Sequence, residues 1–510
     1  LEISNSRSVD WAGNINGAFN KLTENNSLIS MIIGAEIRKN RSENSSLKAA
    51  GFYDDALNFI GHATGYPTDS KNKPSGNQDL STEVGFFANA NYMYNNRYYA
   101  DFVYRLSGSS KFGSNQRYGQ FWSGGLGWNL HNENFLKFEK LNLLKIRGSV
   151  GYTGKVNFEP FQSITMYKYE NTLEYLHGIG AIPQTIGNDD LKWEREFSYN
   201  IGADISLFDR RLNATLDFYL KRTKDLVLDA SIAPSTGVVS GKQNIGEMEN
   251  KGFEFSVDGF IIQRNDVWWQ LGMNGSTNKN RILKISNALK RQNELNNDVA
   301  PTRQTPAPLA QYEEGESTSA LKVVRSAGID PATGREVFIK LDGTRTFTYS
   351  ADDKVVVGDT DPRFYGNVYT NVFYKGFSLY IMGSFKCGGY LYNVTRASRV
   401  EGTTGRTNVD RRAFDSRWKE VGDIALYRNI TEHSVPQQTD RFVEKENVLT
   451  ITSVNLGYEF PQRICQKMML RNLRLGVNLS DILRFSNVKV ERGLDYLYGN
   501  GFEFTLSTTF

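Results

Sequence analysis

The sequence predicts an all-β fold, the wall of a transmembrane antiparallel β-barrel, and three observations carry that prediction. Long stretches alternate apolar and polar residues with a period of two, the connections between them switch strictly between short and long, and charge stays in the polar phase. From Phe197 the series Phe197, Tyr199, Ile201, Ala203, Ile205, Leu207 alternates with Ser198, Asn200, Gly202, Asp204, Ser206. Beyond a turn at Asp209-Arg210, Leu212, Ala214, Leu216, Phe218 and Leu220 alternate with Asn213, Thr215, Asp217, Tyr219 and Lys221. Each run exceeds the roughly 5 to 6 residues of a globular strand and reaches the roughly 9 to 11 that a tilted strand needs to cross a bilayer. A Lys or Arg turned to lipid at the midplane costs roughly 2 to 4 kcal/mol, which accounts for the confinement of charge.

In chain order the pattern places strands near 8–20 and 28–39, then near 80–94 and 97–107 with Asn95-Asn96 as their turn. Strands near 117–130 and 143–153 follow, and then 194–207 and 210–223, joined through Phe208-Asp-Arg-Arg211. Arg264-Asn-Asp266 joins 251–263 to 266–279, and Tyr374-Lys-Gly376 joins 363–374 to 376–388. The series closes near 447–460, 470–481 and 500–510, where Phe502, Phe504, Leu506 and Phe510 alternate with Glu503, Thr505, Ser507 and Thr509. Polar, Gly-rich stretches near 40–79, 154–193, 224–250, 280–362 and 389–446 separate these pairs. Short turns on one side and long loops on the other are the asymmetry of outer-membrane barrels, with the turns periplasmic and the loops extracellular. An eighty-residue loop without structure of its own counts against a compact soluble fold.

With Phe510 on the periplasmic side, counting back through fifteen strands puts Leu1 outside the cell. Bacterial single-chain barrels have even strand counts and both termini in the periplasm. The expectation is therefore that residues 1–510, one domain, are the C-terminal part of a larger barrel, begun within an extracellular loop or nicked there. Phe502, Phe504 and Leu506 then face outward beside a strand that this chain lacks.

Composition sets bounds. A hydrophobic content of 39% and a mean hydropathy of −0.47 suggest a soluble protein, and no run reaches the 18 or more apolar residues of a spanning helix. Barrels evade that test because only alternate residues face lipid. The aromatic content of 13% suits interfacial girdles, or the core of a Tyr-rich β-sandwich. A net charge of +4 from 60 basic and 56 acidic residues gives no case for nucleic acid. Cys387 and Cys465 fall at opposite ends of strands, too far apart to bridge.

Catalytic and metal signals are weak, and the chain reads as a non-enzyme. His62, His131, His177 and His433 are dispersed without a second ligand at metal spacing. Gly148, Gly151 and Gly154 lie on a strand that no helix follows, so a phosphate cradle at a helix N-terminus is not available. Asp352, Asp353, Asp359 and Asp361 are a candidate structural Ca²⁺ site in an outer loop, but they lack the spacing of a calcium loop, and a solvated acidic loop is the simpler reading.

Several motifs in fixed order carry a resemblance. Leu191-Lys-Trp-Glu194, Tyr199-Asn-Ile-Gly-Ala-Asp204, Leu216-Asp-Phe-Tyr219, Arg222-Thr-Lys-Asp-Leu-Val227 and Asn244-Ile-Gly-Glu-Met-Glu-Asn-Lys-Gly-Phe-Glu-Phe255 resemble the SusC/RagA family of TonB-dependent outer-membrane transporters of Bacteroidetes. Gly328-Ile-Asp-Pro-Ala-Thr-Gly334, Gly358-Asp-Thr-Asp-Pro-Arg-Phe-Tyr-Gly366, Tyr374-Lys-Gly-Phe-Ser-Leu379 and Val454-Asn-Leu-Gly-Tyr-Glu-Phe-Pro461 continue it, and together the motifs cover roughly residues 80 to 510. The resemblance implies a 22-stranded barrel of which this chain holds about fifteen strands. It implies a plug on the N-terminal portion of the same transporter, TonB acting through that plug, a SusD-like surface lipoprotein as partner, the outer membrane as location, and uptake of oligosaccharides or peptides.

Within that frame the outer loops form the mouth. Tyr167, Tyr169 and Tyr175 in one loop are candidate substrate contacts, since aromatic rings stack on sugar faces; the alternative is that they pack the loop or meet the partner. Arg222, Lys224 and Asp225 continue past a strand end, where pairing across the rim is one reading and simple solvation of rim charges is the more usual one. Two rival functions share parts of the pattern: a passive porin, which needs no plug or TonB, and a surface adhesin or soluble β-sandwich, which needs no bilayer.

Overall fold

A computed structural model describes residues 1–54, 56, 59–65, 74–175, 178–232, 237–238, 240–299, 307–403, 409–432, 434–490 and 499–509. Phe510, His177 and His433 lie outside the described residues, as does the side chain of Tyr175.

Fifteen strands form one antiparallel sheet, and each matches a predicted strand. They are β1 (Glu2–Leu22), β2 (Ser27–Lys48), β3 (Ser75–Tyr94), β4 (Tyr98–Ser109), β5 (Tyr118–Asn129) and β6 (Leu141–Lys155). After a separate two-stranded hairpin, β7 (Met166–Tyr175) with β8 (Gly178–Thr185), the sheet resumes with β9 (Glu194–Leu207), β10 (Leu212–Ser231), β11 (Ser240–Arg264) and β12 (Val267–Lys284). A helix, α1 (Asn287–Val299), precedes a four-stranded insert of β13 (Ala320–Ile329), β14 (Glu336–Ile339), β15 (Arg345–Thr346) and β16 (Lys354–Asp359). The sheet ends with β17 (Phe364–Tyr374), β18 (Phe377–Tyr392), β19 (Val443–Glu459), β20 (Asn472–Ser486) and β21 (Gly501–Thr509). Every strand pairs with its neighbour in this series, the order of an up-and-down barrel wall, with β1 and β21 at its two ends.

The short turns are built as the sequence reads. Asn95 and Asn96 both adopt positive φ, 49° and 54°, the left-handed pair of a tight hairpin. Phe208, Asp209 and Arg210 are all left-handed, and Lys375-Gly376 likewise turns β17 into β18.

The long stretches differ from expectation in two ways. Strands run well past the alternating segment: β2 continues to Lys48, β10 to Ser231, and β11 begins at Ser240, so part of 40–79 and most of 224–250 is paired strand. Glu2↔Lys48 to Asp10↔Asn40 pair with polar residues on both faces, so the ladder persists where the hydrophobic period is gone. The stretch 280–362 is likewise not structureless, because it holds α1 and the four-stranded insert.

The chain divides into two compact units. The first, residues 1–127, 149–198 and 223–247, buries Phe112 and Leu191, with Trp193 packed on Phe112 and Phe121 at ring-centroid distances of 4.3 and 5.2 Å. The second, residues 128–148, 199–222 and 248–510, buries Val323, Val324 and Phe338 in the insert and Val400, Ala413 and Tyr427 in the following loop. On the sheet strands the apolar phase is exposed: Ile15 by 76%, Ile201 by 65% and Phe218 by 60%. Large apolar side chains repeated along the solvent side of strand after strand suit a hydrocarbon environment rather than water. Cys387 and Cys465 are both free.

Candidate functional site, the polar wall and outer rim

The polar phase forms the chemically rich face of the sheet. Arg147 on β6 donates from Nη2 to Asp217 of β10 at 2.6 Å and from Nε to Asp204 of β9 at 3.3 Å. Its guanidinium passes over Gly202 of the intervening strand, where a Cβ would lie 2.6 Å from Asp217 Oδ1 and 2.7 Å from Arg147 Cζ. The first unit repeats the device, with Arg105 of β4 reaching across Gly85 of β3 to Glu36 of β2. A glycine in the middle strand thus lets an ion pair bridge three strands. These pairs balance charge on a half-buried wall, which limits the penalty of holding carboxylates there.

In the first unit, the motif segments 191–194, 223–227 and 244 form a clasp. Leu191 is fully buried, Trp193 sits among the phenylalanines, and the Glu194 carboxylate accepts the Val227 N–H at 2.9 Å. Asn244 binds both the carbonyl and the N–H of Lys192 and the carbonyl of Asp225. Asp225, left-handed at φ 57°, pairs with Arg195 and with Lys192 at 3.1 Å, and Lys224 lies 3.8 Å from Glu247. Asp225 and Lys224 are therefore paired, but inside β10, which continues to Ser231, and not past a strand end.

In the second unit a buried ion cluster holds the outer loops together. Glu401, with no side-chain exposure, accepts Arg428 Nε at 2.8 Å and lies 3.0 Å from Arg441 Nη2. Arg441 Nε lies 3.0 Å from Glu336 on β14, which also accepts the Thr439 hydroxyl at 2.9 Å. Burial raises the Glu336 pKa, outweighing the Arg441 charge that lowers it. Arg417 closes the loop by donating to the carbonyls of Val400, Glu401, Ala413 and Arg428. In the same loop Phe414, Val421, Ile424 and Leu426 are exposed, Ile424 by 98%.

The predicted contact residues fall on the β7–β8 hairpin. Tyr167 and Tyr169, 65% and 74% exposed, sit two apart on β7, opposite Pro183 and Ala181. Tyr175 pairs with Gly178 beyond a register shift between Glu170 and Glu174. Of the acidic residues, Asp353 accepts the Leu341 N–H, Asp359 accepts the Ser319 hydroxyl and the Asp361 N–H, and Asp352 lies in a one-turn helix capped by Ser350. Among the described residues no three potential ligands gather for a metal ion. His131 Nδ1 lies 3.3 Å from the Leu144 N–H. The cross-strand pairs of Arg147 and the Glu401 cluster were not foreseen; the only signal for the first was charge in the polar phase.

The family model described as TonB dependent receptor-like, beta-barrel, matches residues 3–478. This chain belongs to that family. It is of the SusC/RagA type and its place is the outer membrane. TonB-dependent receptor P3 of Formosa agariphila is 28% identical over 491 residues, 92% of this chain and 48% of the relative. TonB-dependent receptor SusC of Bacteroides thetaiotaomicron is 35% identical over 214 residues, 40% of this chain and 21% of that protein. The fold is similar to that in the structure of the RagAB peptide transporter, with a TM-score of 0.81 at 22% identity over 96% of this chain and 53% of that one. The chain spans about half the length of the first curated relatives it matches, at 48% for each.

Proposed function

We propose that this chain forms the greater part of the barrel wall of an outer-membrane importer that takes up oligosaccharides or peptides, energised through TonB. The N-terminal portion of the same transporter supplies the plug and the TonB contact, and a SusD-like lipoprotein covers the mouth. The observation that carries the reading is the match to a TonB-dependent receptor barrel along residues 3–478. The polar wall supports it, since ion pairs bridging three strands suit a hydrated interior rather than lipid. The exposed apolar side chains Phe414, Val421, Ile424 and Leu426, held on a braced loop, suit a protein partner. Tyr167 and Tyr169, on one face of an outer hairpin, are the proposed substrate contacts, with Tyr175 on the same strand.

The test is uptake by cells expressing the full-length transporter, measured with labelled oligosaccharides and labelled peptides. Saturable uptake of one class that stops when TonB is removed supports the proposal. Uptake indifferent to TonB overturns it in favour of a passive pore.

A further inference from the structure

On the apolar face of the second unit five phenylalanines form a row across neighbouring strands. Phe218 on β10 meets Phe253 on β11 at 4.6 Å between ring centroids, Phe253 and Phe255 are 6.0 Å apart, Phe255 meets Phe364 on β17 at 6.0 Å, and Phe364 meets Phe385 on β18 at 5.1 Å. The row crosses β12 over Gly275, where a Cβ would lie 2.6 Å from the Phe255 ring and 2.7 Å from the Phe364 ring. Aromatic girdles of this kind mark the level at which hydrocarbon gives way to headgroups.

Four cations lie just beyond the row, away from the short turns. Lys251 is two residues from Phe253 on the same strand face, Lys279 and Arg281 continue the face of Gly275, and Arg363 immediately precedes Phe364. All four are exposed, and all line one cavity of about 1000 Å³. Among the described residues none of the four has an ion pair or side-chain hydrogen bond. The cavity also holds acids. Glu316 is engaged by Lys322 at 2.7 Å, and Asp359 by the Ser319 hydroxyl and the Asp361 N–H. Those hydrogen bonds are neutral, so the carboxylates of Glu249, Asp359 and Asp361 keep their charge in the lining alongside the four cations, none of which they pair with.

Cations without partners, gathered in a cavity at headgroup level above an aromatic row, are the arrangement that binds an anionic lipid headgroup. Arginine forks suit phosphate oxygens, and the phenylalanine row offers an apolar bed for the attached acyl chain. We propose that this cavity seats the phosphorylated headgroup of an outer-leaflet lipid.

The experiment uses the full-length transporter extracted from its own outer membrane in mild detergent, with bound lipid identified by native mass spectrometry. The wild type retains a phosphorylated lipid. Neutralising one cation, as in Arg281→Gln, weakens retention about fivefold, and Lys251→Gln, Lys279→Gln, Arg281→Gln and Arg363→Gln together weaken it on the order of a hundredfold. Removing the charges of Arg210, Arg264 and Lys375 at the short-turn end leaves it unchanged. Equal retention by the wild type and the fourfold variant overturns the proposal. A second arm needs no variant: delipidated wild-type protein is titrated with vesicles carrying the outer-leaflet lipid, intact or enzymatically dephosphorylated, and with inorganic phosphate. Binding of the intact vesicles alone supports the proposal. Equal binding of dephosphorylated vesicles overturns it, and so does displacement of the lipid by inorganic phosphate at matched concentration, which identifies a free-anion site.

Discussion

Replacing Glu401 with alanine should unfold one outer loop and leave the barrel wall intact. The Glu401 side chain is fully buried and its Oε1 accepts both the Nε and the backbone N–H of Arg428, at 2.8 and 3.2 Å, while Arg441 approaches at 3.0 Å. Its loss leaves Arg428, 6% exposed, with the Ser434 hydroxyl and carbonyl, and leaves Arg441 with Glu336 and the Leu426 carbonyl. Stranding a buried cation in this way costs about 3 to 5 kcal/mol. Glu401→Gln keeps the shape and one acceptor oxygen, so it costs less, about 1 to 3 kcal/mol. The assay is hydrogen exchange on the full-length transporter in detergent. Amides of 396–441 that exchange by local opening should lose protection on the order of a hundredfold or more in the alanine variant, while those of β17 to β20 keep theirs. Unchanged protection in the loop, or an equal loss in the strands, refutes the reasoning.

Other consequences follow from the same structure. Gly202→Ala places a Cβ between Arg147 and Asp217 and should cost about 1 to 3 kcal/mol, read as a lower Tm, whereas Gly148→Ala, whose Cβ meets only the Asn200 carbonyl at 3.9 Å, should be near neutral. Burial holds the Lys354 pKa down to about 8. A cation whose folded pKa is depressed favours the folded state above its unfolded pKa, so the insert should lose about 2 kcal/mol, discounted for partial exposure, as pH falls from 10.5 to 8. Limited proteolysis at the two pH values measures this, and Lys354→Met should level them. If a SusD-like lipoprotein docks on this loop as proposed, Ile424→Asp with Leu426→Asp should abolish its co-purification without changing barrel content in the membrane. Tyr167→Ala with Tyr169→Ala should raise the KM for uptake several-fold and leave the transporter's abundance unchanged.

The sheet was legible because the bilayer imposes one rule along every strand: Phe197 to Leu207 and Leu212 to Leu220 alternate without a break. The insert was not, because its environment differs. Val323 and Val324 are adjacent on β13 and both fully buried, so this strand has no polar phase for a period-two reading to find. The hairpin of β7 and β8 was missed for the opposite reason, since Tyr167, Lys168 and Tyr169 are all exposed. Charge in the polar phase was visible, but the partners of Arg147 stand 57 and 70 residues away, and only strand register brings them together. The Glu401 cluster lies in irregular loops, where no periodicity links Glu336, Glu401, Arg428 and Arg441.

The central claim, active import through this barrel, is tested most directly by substrate accumulation in cells expressing the full-length transporter before and after the proton-motive force is collapsed. The account predicts that accumulation against a gradient stops at once, while substrate still binds at the cell surface. Continued entry at the same rate would contradict it.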